Sequence, residues 1–404
     1  MPKKETPFRV VILGGGAGGI CVAARLRRHF PKGAIAIVEP SPDHFYQPLW
    51  TLVGAGLVKK EKTRRPMAKL IPRGVTWIPD AVRKVNPYER TVLLEHGRLL
   101  GYDALVVATG LKLDFDKIEG LAGNLGVHGI HSIYDFQGAE DTAQALKSFN
   151  GGKALFVMPP LPIKCAGAPQ KIVYMADDLF RRTGVRWRTE ITFAVAGKVI
   201  FGIPEFAKVL TQVAHRKGVN VKYGHRLVAV NAARKEAVFE VATETGTARV
   251  VEKYDFLHVV PSMSAHSYVS ESGLAHVEGP HQGWLEVDKH RLQHPVHSEV
   301  FGIGDVTGIP NSKTGAAVRK QAPVVADRVL AKLQGWTSAA SYDGYSSCPL
   351  TTQKGRVILA EFGYDGKLLP SFPLDPTRER WTMWILKRYL LSRLYWHGMI
   401  PGWL

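Results

Sequence analysis

A chain of 404 residues is too long for one ordinary core and calls for two or three domains. With 45% hydrophobic and 22% charged residues, it is not a disordered chain. The formal net charge of +18 favours anionic partners (membrane surfaces, nucleic acids or anionic small molecules) without choosing among them. Three cysteines, Cys21, Cys165 and Cys348, are too few for a secreted disulfide scaffold, and no pair has C-x-x-C spacing.

The start, Met1-Pro2-Lys3-Lys4, lacks the apolar stretch of a secretory signal and runs almost directly into a strand, so neither a signal nor a transit peptide is expected. No run of about 18 uncharged apolar residues suggests a spanning helix. No His/Cys cluster has zinc-site spacing, so no metal is expected, and His294 and His297 read as surface residues. The basic run from Lys59 to Arg65 reads as a solvated face.

The first unit is a strand (Val10–Leu13), a glycine turn (Gly14 to Gly19), a helix from Ile20 to about Phe30, and a strand, Ile35–Val38, ending at Glu39. Gly14, Gly16 and Gly19 fit G-x-G-x-x-G. The first permits the tight turn, the second lets backbone approach a pyrophosphate, and the third lets helix pack on strand. The helix start offers free N–H groups to the phosphates, and Glu39 stands where a carboxylate accepts from ribose hydroxyls. Apolar runs follow at 104–108, 154–158, 191–196 and 258–260, with helical periodicity over 170–182 and 205–215. Strands alternating with helices predict an α/β protein with a parallel sheet covered on both faces.

Two later segments argue for FAD rather than NAD. Tyr102–Gly110, with Thr109 and Gly110 at its end, resembles the Ala-Thr-Gly segment of two-dinucleotide-domain flavoproteins. Val300–Asp305 resembles their second FAD motif, in which Gly304 precedes the ribityl-binding Asp305. That resemblance also implies FAD contacts from Gln47, the Val82 backbone and the helix opening near Gly315. In the middle of the chain, the strand 154–158 runs into Pro159-Pro160-Leu161-Pro162 where an NADH-binding domain carries glycines. Proline has no N–H to give a phosphate, which argues against NADH as donor.

Cys165 stands in that turn, beside Lys164 and just ahead of a helix. A lone cysteine is usually a small buried apolar residue; this placement reads instead as a thiol of lowered pKa. Cys348 lies in a turn-rich stretch, and Cys21 falls inside the first helix, where packing explains it. From Trp381 to Trp396 apolar and aromatic residues dominate, with Lys387, Arg388 and Arg393 interspersed, a composition suited to an interfacial helix.

Together, His44–Gly56, Lys164–Ile172, Phe301–Asp305 with Ser312–Thr314, and Tyr342–Leu350 with Arg356–Phe362 resemble the sulfide:quinone oxidoreductase family, in its mitochondrial-type branch. The resemblance implies two Rossmann-like domains plus a C-terminal membrane-facing segment. Residues 1–115 and 270–335 would form a discontinuous FAD-binding domain. Residues 116–269 would form a second dinucleotide-type domain carrying Cys165. Residues 336–404 would form a C-terminal region with Cys348 and an amphipathic segment.

It further implies that Cys165 and Cys348 form a redox-active disulfide or trisulfide through which sulfide is oxidised. Electrons pass by FAD to quinone, and sulfane sulfur passes to glutathione, sulfite or another sulfide. Phe362, Trp384 and Tyr389 are the quinone-channel candidates. The expected setting is a peripheral (monotopic) membrane protein on the cytoplasmic face of a bacterial inner membrane, with a homo-oligomer left open. The family's usual apolar basic tail beyond position 404 is missing from this pattern. The enzyme rival is a type II NADH:quinone oxidoreductase, which needs a second glycine fingerprint and no cysteines. A nucleic-acid-binding protein lacks any supporting signature.

Overall fold

The computed structural model describes residues 8–243 and 246–404; the reading of the first few residues lies outside these. The buried apolar strand Phe8–Leu13 is central to the first sheet. It pairs in parallel with Ile35–Val38 on one side and Leu99–Val107 on the other. Thr76–Ile78 extends one edge. Strand Leu99–Val107 changes partner along its length: Leu99–Gly101 pairs antiparallel with Thr91–Leu93, and Leu105–Val107 pairs in parallel with Val300–Gly302. The late segment 300–302 thus returns to the N-terminal sheet and brings Gly304 and Asp305 with it.

The second sheet is wholly parallel, in the order Ile130–His131, Phe256–His258, Gly152–Met158, Thr189–Val195, Val219–Tyr223. Its strands are near-continuous apolar runs because helices Ala168–Arg182 and Pro204–Arg216 bury their apolar residues against it. The helices begin one or two residues earlier than the periodicity predicts, since Pro169 and Pro204 occupy first-turn positions where no N–H is needed. A three-stranded antiparallel sheet, His225–Asn231, Glu236–Thr243 and Gly246–Lys253, lies outside the segments that the sequence reading names; it buries Leu227, Val230, Ala237 and Phe239 on one face, and its last strand is largely exposed.

The C-terminal region starts with a hairpin, Ser346–Gln353 against Arg356–Phe362, so Cys348 lies in a strand rather than a turn. Side chains alternate across a strand. Cys348, Leu350, Ile358, Ala360 and Phe362 therefore join the core of the second sheet, while Val357 and Leu359 join the core of the first. A helical run, Trp381 to Met399, follows, with widened π turns at Leu386–Leu390 and Tyr395–Met399. It packs Met383, Trp384, Tyr395, Trp396 and Met399 onto the first core. Among the described residues, no helix is long and apolar enough to cross a membrane.

His294 and His297 correct the sequence reading. They are buried, 4% and 9% exposed, and His294 Nδ1 accepts from the Val296 and His297 N–H groups. They tie a turn rather than face solvent.

Candidate active site

The glycine turn makes one end of a cavity of about 730 Å³. Gly14 has φ +103°, and a Cβ there would run into the Ala108 carbonyl. A Cβ on Gly19 would collide with the Gly14 carbonyl, so helix and strand could not approach. Gly16 differs: a Cβ would meet nothing within 4 Å, because this residue lines the cavity. Packing thus requires glycine at positions 14 and 19, and Gly16 leaves backbone facing the open cavity. Glu39 also lines the cavity, its carboxylate fixed by the Gly15 N–H (2.8 Å) and the Ser41 N–H (2.8 Å). Thr109, Gly110, Gln47, Gly304, Asp305 and Gly315 line the same space. A phosphate-accommodating turn, a ribose-type carboxylate and the N-terminus of helix Gly315–Gln334 fit a bound dinucleotide.

Some sequence-named residues lie elsewhere. Val82, in a strand beside Thr91–Leu94, does not line the cavity. Nor do the three aromatic candidates. Phe362 follows the alternation onto the second core and packs edge-on against Phe201 (5.9 Å between centroids). Trp384 is buried in the first core, and Tyr389 is on the helix's outer surface, 47% exposed. Phe372, Leu386, Leu391 and Leu394 line this part of the cavity instead.

Both distant cysteines reach the cavity wall. Cys165 is partly open and sits at φ +50°, its N–H bonded to the Lys313 carbonyl (2.9 Å) and its own carbonyl accepting from Ala168 (2.7 Å). Cys348 is buried. The approach depends on Gly167, where a Cβ would stand 2.5 Å from Cys348 Sγ. The two thiols share a hydrogen bond that separates their properties. It holds Cys165 well below its ordinary pKa, against the opposing effect of burial, and Lys171 and Lys387 act in the same direction. The same bond, together with burial, pushes Cys348 well up.

The cation hydrogen-bonded to Cys165 is Lys171, while the adjacent Lys164 interacts with the thiol by charge alone. Lys171 Nζ donates to Cys165 Sγ at 3.3 Å, whereas Lys164 Nζ turns to the Tyr134 carbonyl (3.3 Å). No sequence signal marks Lys171, whose burial at the start of the helix appears only in the fold. Lys387 arrives from the C-terminal helix, bonded to the Pro48 carbonyl (3.4 Å), and burial lowers it to about 7. Lys164 and Lys313 are likewise lowered by burial, each to about 8. Cys21 takes no part. It is buried, its thiol raised to about 12 by burial, and it donates to the Met399 carbonyl (3.1 Å).

The pyridine nucleotide-disulphide oxidoreductase family matches residues 8–322. A mitochondrial sulfide:quinone oxidoreductase of Dictyostelium discoideum is 42% identical over 99% of this chain and 87% of its own length. That of Mus musculus is 42% identical over 98% of this chain and 87% of its own. These mitochondrial relatives lend no support to the expected bacterial inner-membrane face. Among solved structures, the sulfide:quinone oxidoreductase of Aquifex aeolicus has the same fold, with a TM-score of 0.79 at 22% identity over 98% of this chain and 92% of that one. With a dinucleotide cradle and a two-thiol wall on one cavity, this chain belongs to the sulfide:quinone oxidoreductase family of FAD-binding oxidoreductases.

Proposed function

We propose that this protein oxidises sulfide through a Cys165–Cys348 bridge and delivers the electrons to a quinone. The observation that carries the reading is the pair of thiols in mutual contact on the wall of the dinucleotide cavity, one of them held as a thiolate beside Lys171.

From the oxidised bridge, hydrosulfide attacks the sulfur on Cys348. The bridging bond breaks, Cys348 keeps a persulfide, and Cys165 leaves as the thiolate that Lys171 stabilises. The leaving group should be the sulfur of lower pKa, and the electrostatics favour Cys165 for that part. A second nucleophile such as glutathione, sulfite or sulfide removes the outer sulfur, and loss of two electrons from the cysteine pair re-forms the bridge. FAD, when bound, supplies the two-electron acceptor between thiols and quinone. Gly14, Gly16, Gly19, Glu39, Gln47, Thr109, Gly110, Gly304, Asp305 and Gly315 would hold it; Val82 has less to support it, being off the cavity wall.

The quinone would enter beside the C-terminal helix, whose outer face carries Trp381, Ile385, Tyr389 and Leu390 with Arg388 and Arg393 among them. Apolar anchors with a basic fringe suit a peripheral hold on an anionic membrane surface. Phe372 and Leu386 are better placed against a quinone ring than Phe362, Trp384 or Tyr389, since they line the cavity.

The deciding experiment mixes the purified, FAD-loaded protein with sulfide and a short-chain quinone, and in parallel with NADH and the same quinone. Sulfide-dependent quinone reduction, lost in Cys165→Ser and in Cys348→Ser with FAD retained, is expected. Turnover with NADH and none with sulfide would establish the type II NADH:quinone oxidoreductase reading instead.

A further inference from the structure

Glu361 is 4% exposed and lines the main cavity, yet no cation pairs with it among the described residues. Its carboxylate accepts three hydrogen bonds: from the Tyr345 hydroxyl (2.5 Å), the Ser371 hydroxyl (2.6 Å) and the Ser371 N–H (2.9 Å). An uncompensated buried carboxylate is costly, and a protein that needed only a clamp for Ser371 could use an amide. Two of its three partners are hydroxyls, which can reverse their donor and acceptor roles.

Its position follows from the hairpin. Ser347 pairs with Glu361, and Cys348 with Ala360. Alternation therefore puts Glu361 and Leu359 on the face opposite Cys348, and both line the cavity, as do Phe372 and Leu386. The carboxylate and the Cys348 sulfur thus leave opposite faces of one hairpin, although both line the cavity. A second cavity, of about 20 Å³, shares Glu361, Leu359 and Phe372 with the main one and is bordered by the exposed Leu374, Asp375 and Arg378. That is room for one water molecule. Glu361 thus stands between the large apolar space and a solvent-facing loop.

We infer that Glu361, with Ser371 as its link to solvent, supplies the protons taken up when quinone is reduced to quinol. This rests on the proposed sulfide:quinone activity. Quinone reduction takes two electrons, which the sulfide half of the reaction provides, and two protons. For each proton, the Glu361 carboxyl O–H breaks and a quinol O–H forms; the carboxylate then regains a proton from solvent water through the Ser371 hydroxyl. The other charged and titratable groups around it are Tyr345, with Arg319 and Lys320 over its ring at 6.0 and 5.7 Å, Asp375, Arg378 and Arg380 bordering the small cavity, and Lys387 on the C-terminal helix.

The test separates the two half-reactions of the FAD-loaded full chain by anaerobic stopped flow: reduction of the bound flavin by sulfide, then its reoxidation by a short-chain quinone, across pH. For Glu361→Gln, sulfide reduction is expected to hold within a factor of about two, and quinone-driven reoxidation to fall about 100-fold with a flattened pH profile. Glu361→Asp should recover part of the rate, and Ser371→Ala should slow reoxidation alone. Unchanged reoxidation in Glu361→Gln overturns the proposal, as does equal slowing of both halves, which marks a structural role. If the glutamine variant loses FAD, Ser371→Ala decides, and a wild-type reoxidation rate there overturns the relay. A wild-type protein that sulfide does not reduce overturns the functional reading itself, and this inference with it.

Discussion

Lys171 Nζ donates a hydrogen bond to Cys165 Sγ from one turn into the helix that the cysteine precedes. The ammonium group is 2% exposed, and its pKa is raised because the two nearby sulfurs outweigh burial. Thiolate and ammonium therefore hold each other charged. Replacing Lys171 with methionine keeps the buried stem and removes the charge. Alkylation of Cys165 in the reduced protein should then require higher pH. Sulfide-driven flavin reduction should slow on the order of 10-fold or more, about 1.4 kcal/mol of barrier. An unchanged pH profile of alkylation would show that the hydrogen bond from Cys348 and the charge of Lys387 set the thiolate without Lys171.

Gly167 leaves the room that the Cys348 sulfur occupies, because a Cβ there would stand 2.5 Å from Cys348 Sγ and 2.6 Å from Leu350 Cδ2. Its backbone is ordinary, at φ −83°, so the requirement is space and not conformation. Gly167→Ala should fold and bind FAD, at a stability cost of roughly 1–3 kcal/mol from overpacking. It should also form the Cys165–Cys348 bridge poorly. Thiol titration after mild oxidation measures this: about two titratable thiols more than the wild type is the expected result. Normal bridge formation would mean that the strand yields.

Acid should destabilise the fold through buried neutral histidines. Burial lowers His44 from 6.5 to about 4, and its ring is held between the Gly15 carbonyl (2.9 Å) and the Tyr395 hydroxyl (2.5 Å). The carbonyl can only accept, so Nδ1 donates and Nε2 accepts from the phenol. The unfolded chain gains a proton on this histidine near pH 6.5 and the folded one only near pH 4. The contribution is therefore complete above pH 6.5 and is lost as pH falls between those values, up to about 3 kcal/mol. His258, lowered to about 3, acts in the same direction. Urea midpoints measured from pH 8 to pH 4 should begin to fall near pH 6.5 and drop down to pH 4 in the wild type, and less steeply in His44→Gln. Parallel slopes would remove His44 from the account.

The C-terminal helix packs too deeply for its removal to be a clean test of membrane attachment, since Met383, Trp384, Tyr395 and Trp396 belong to the first core. Its outer face is separable. Trp381, Tyr389 and Leu390 are 62%, 47% and 44% exposed, and replacing all three by serine should alter thermal stability little. Binding to vesicles containing anionic lipid should fall at least about 10-fold in a flotation assay. Undiminished flotation would move the contact to another face.

Much of the fold was legible because its signals are local: an apolar run, a glycine turn, a helix and an acid within the first 39 residues, then alternating strands and helices. The sheet's last parallel strand, Val300–Gly302, was legible only through its resemblance to a motif, because three residues carry no periodicity. Cys348 read as part of a turn because Asp343, Gly344 and Pro349 surround it, but the strand tolerates Pro349 beside a two-stranded edge. Lys171 and Lys387 stayed hidden for a different reason. A lysine in a helix normally faces water, and only the tertiary meeting of two cysteines makes burial of these two tolerable. The aromatic candidates failed to reach the cavity because prominence in sequence says nothing about which face of a strand or helix a side chain takes.

The hairpin that carries Cys348 on one face and Glu361 on the other also limits how this region can change length. One residue inserted into Ser346–Gln353 ahead of the cysteine would rotate every following side chain to the opposite face and exchange the two cores' contributions. Two inserted residues would restore the facing but carry the sulfur about 7 Å along the strand, out of reach of its partner. Length variation is therefore confined to the two-residue turn at Lys354-Gly355, where Gly355 already has φ +85° and faces open space.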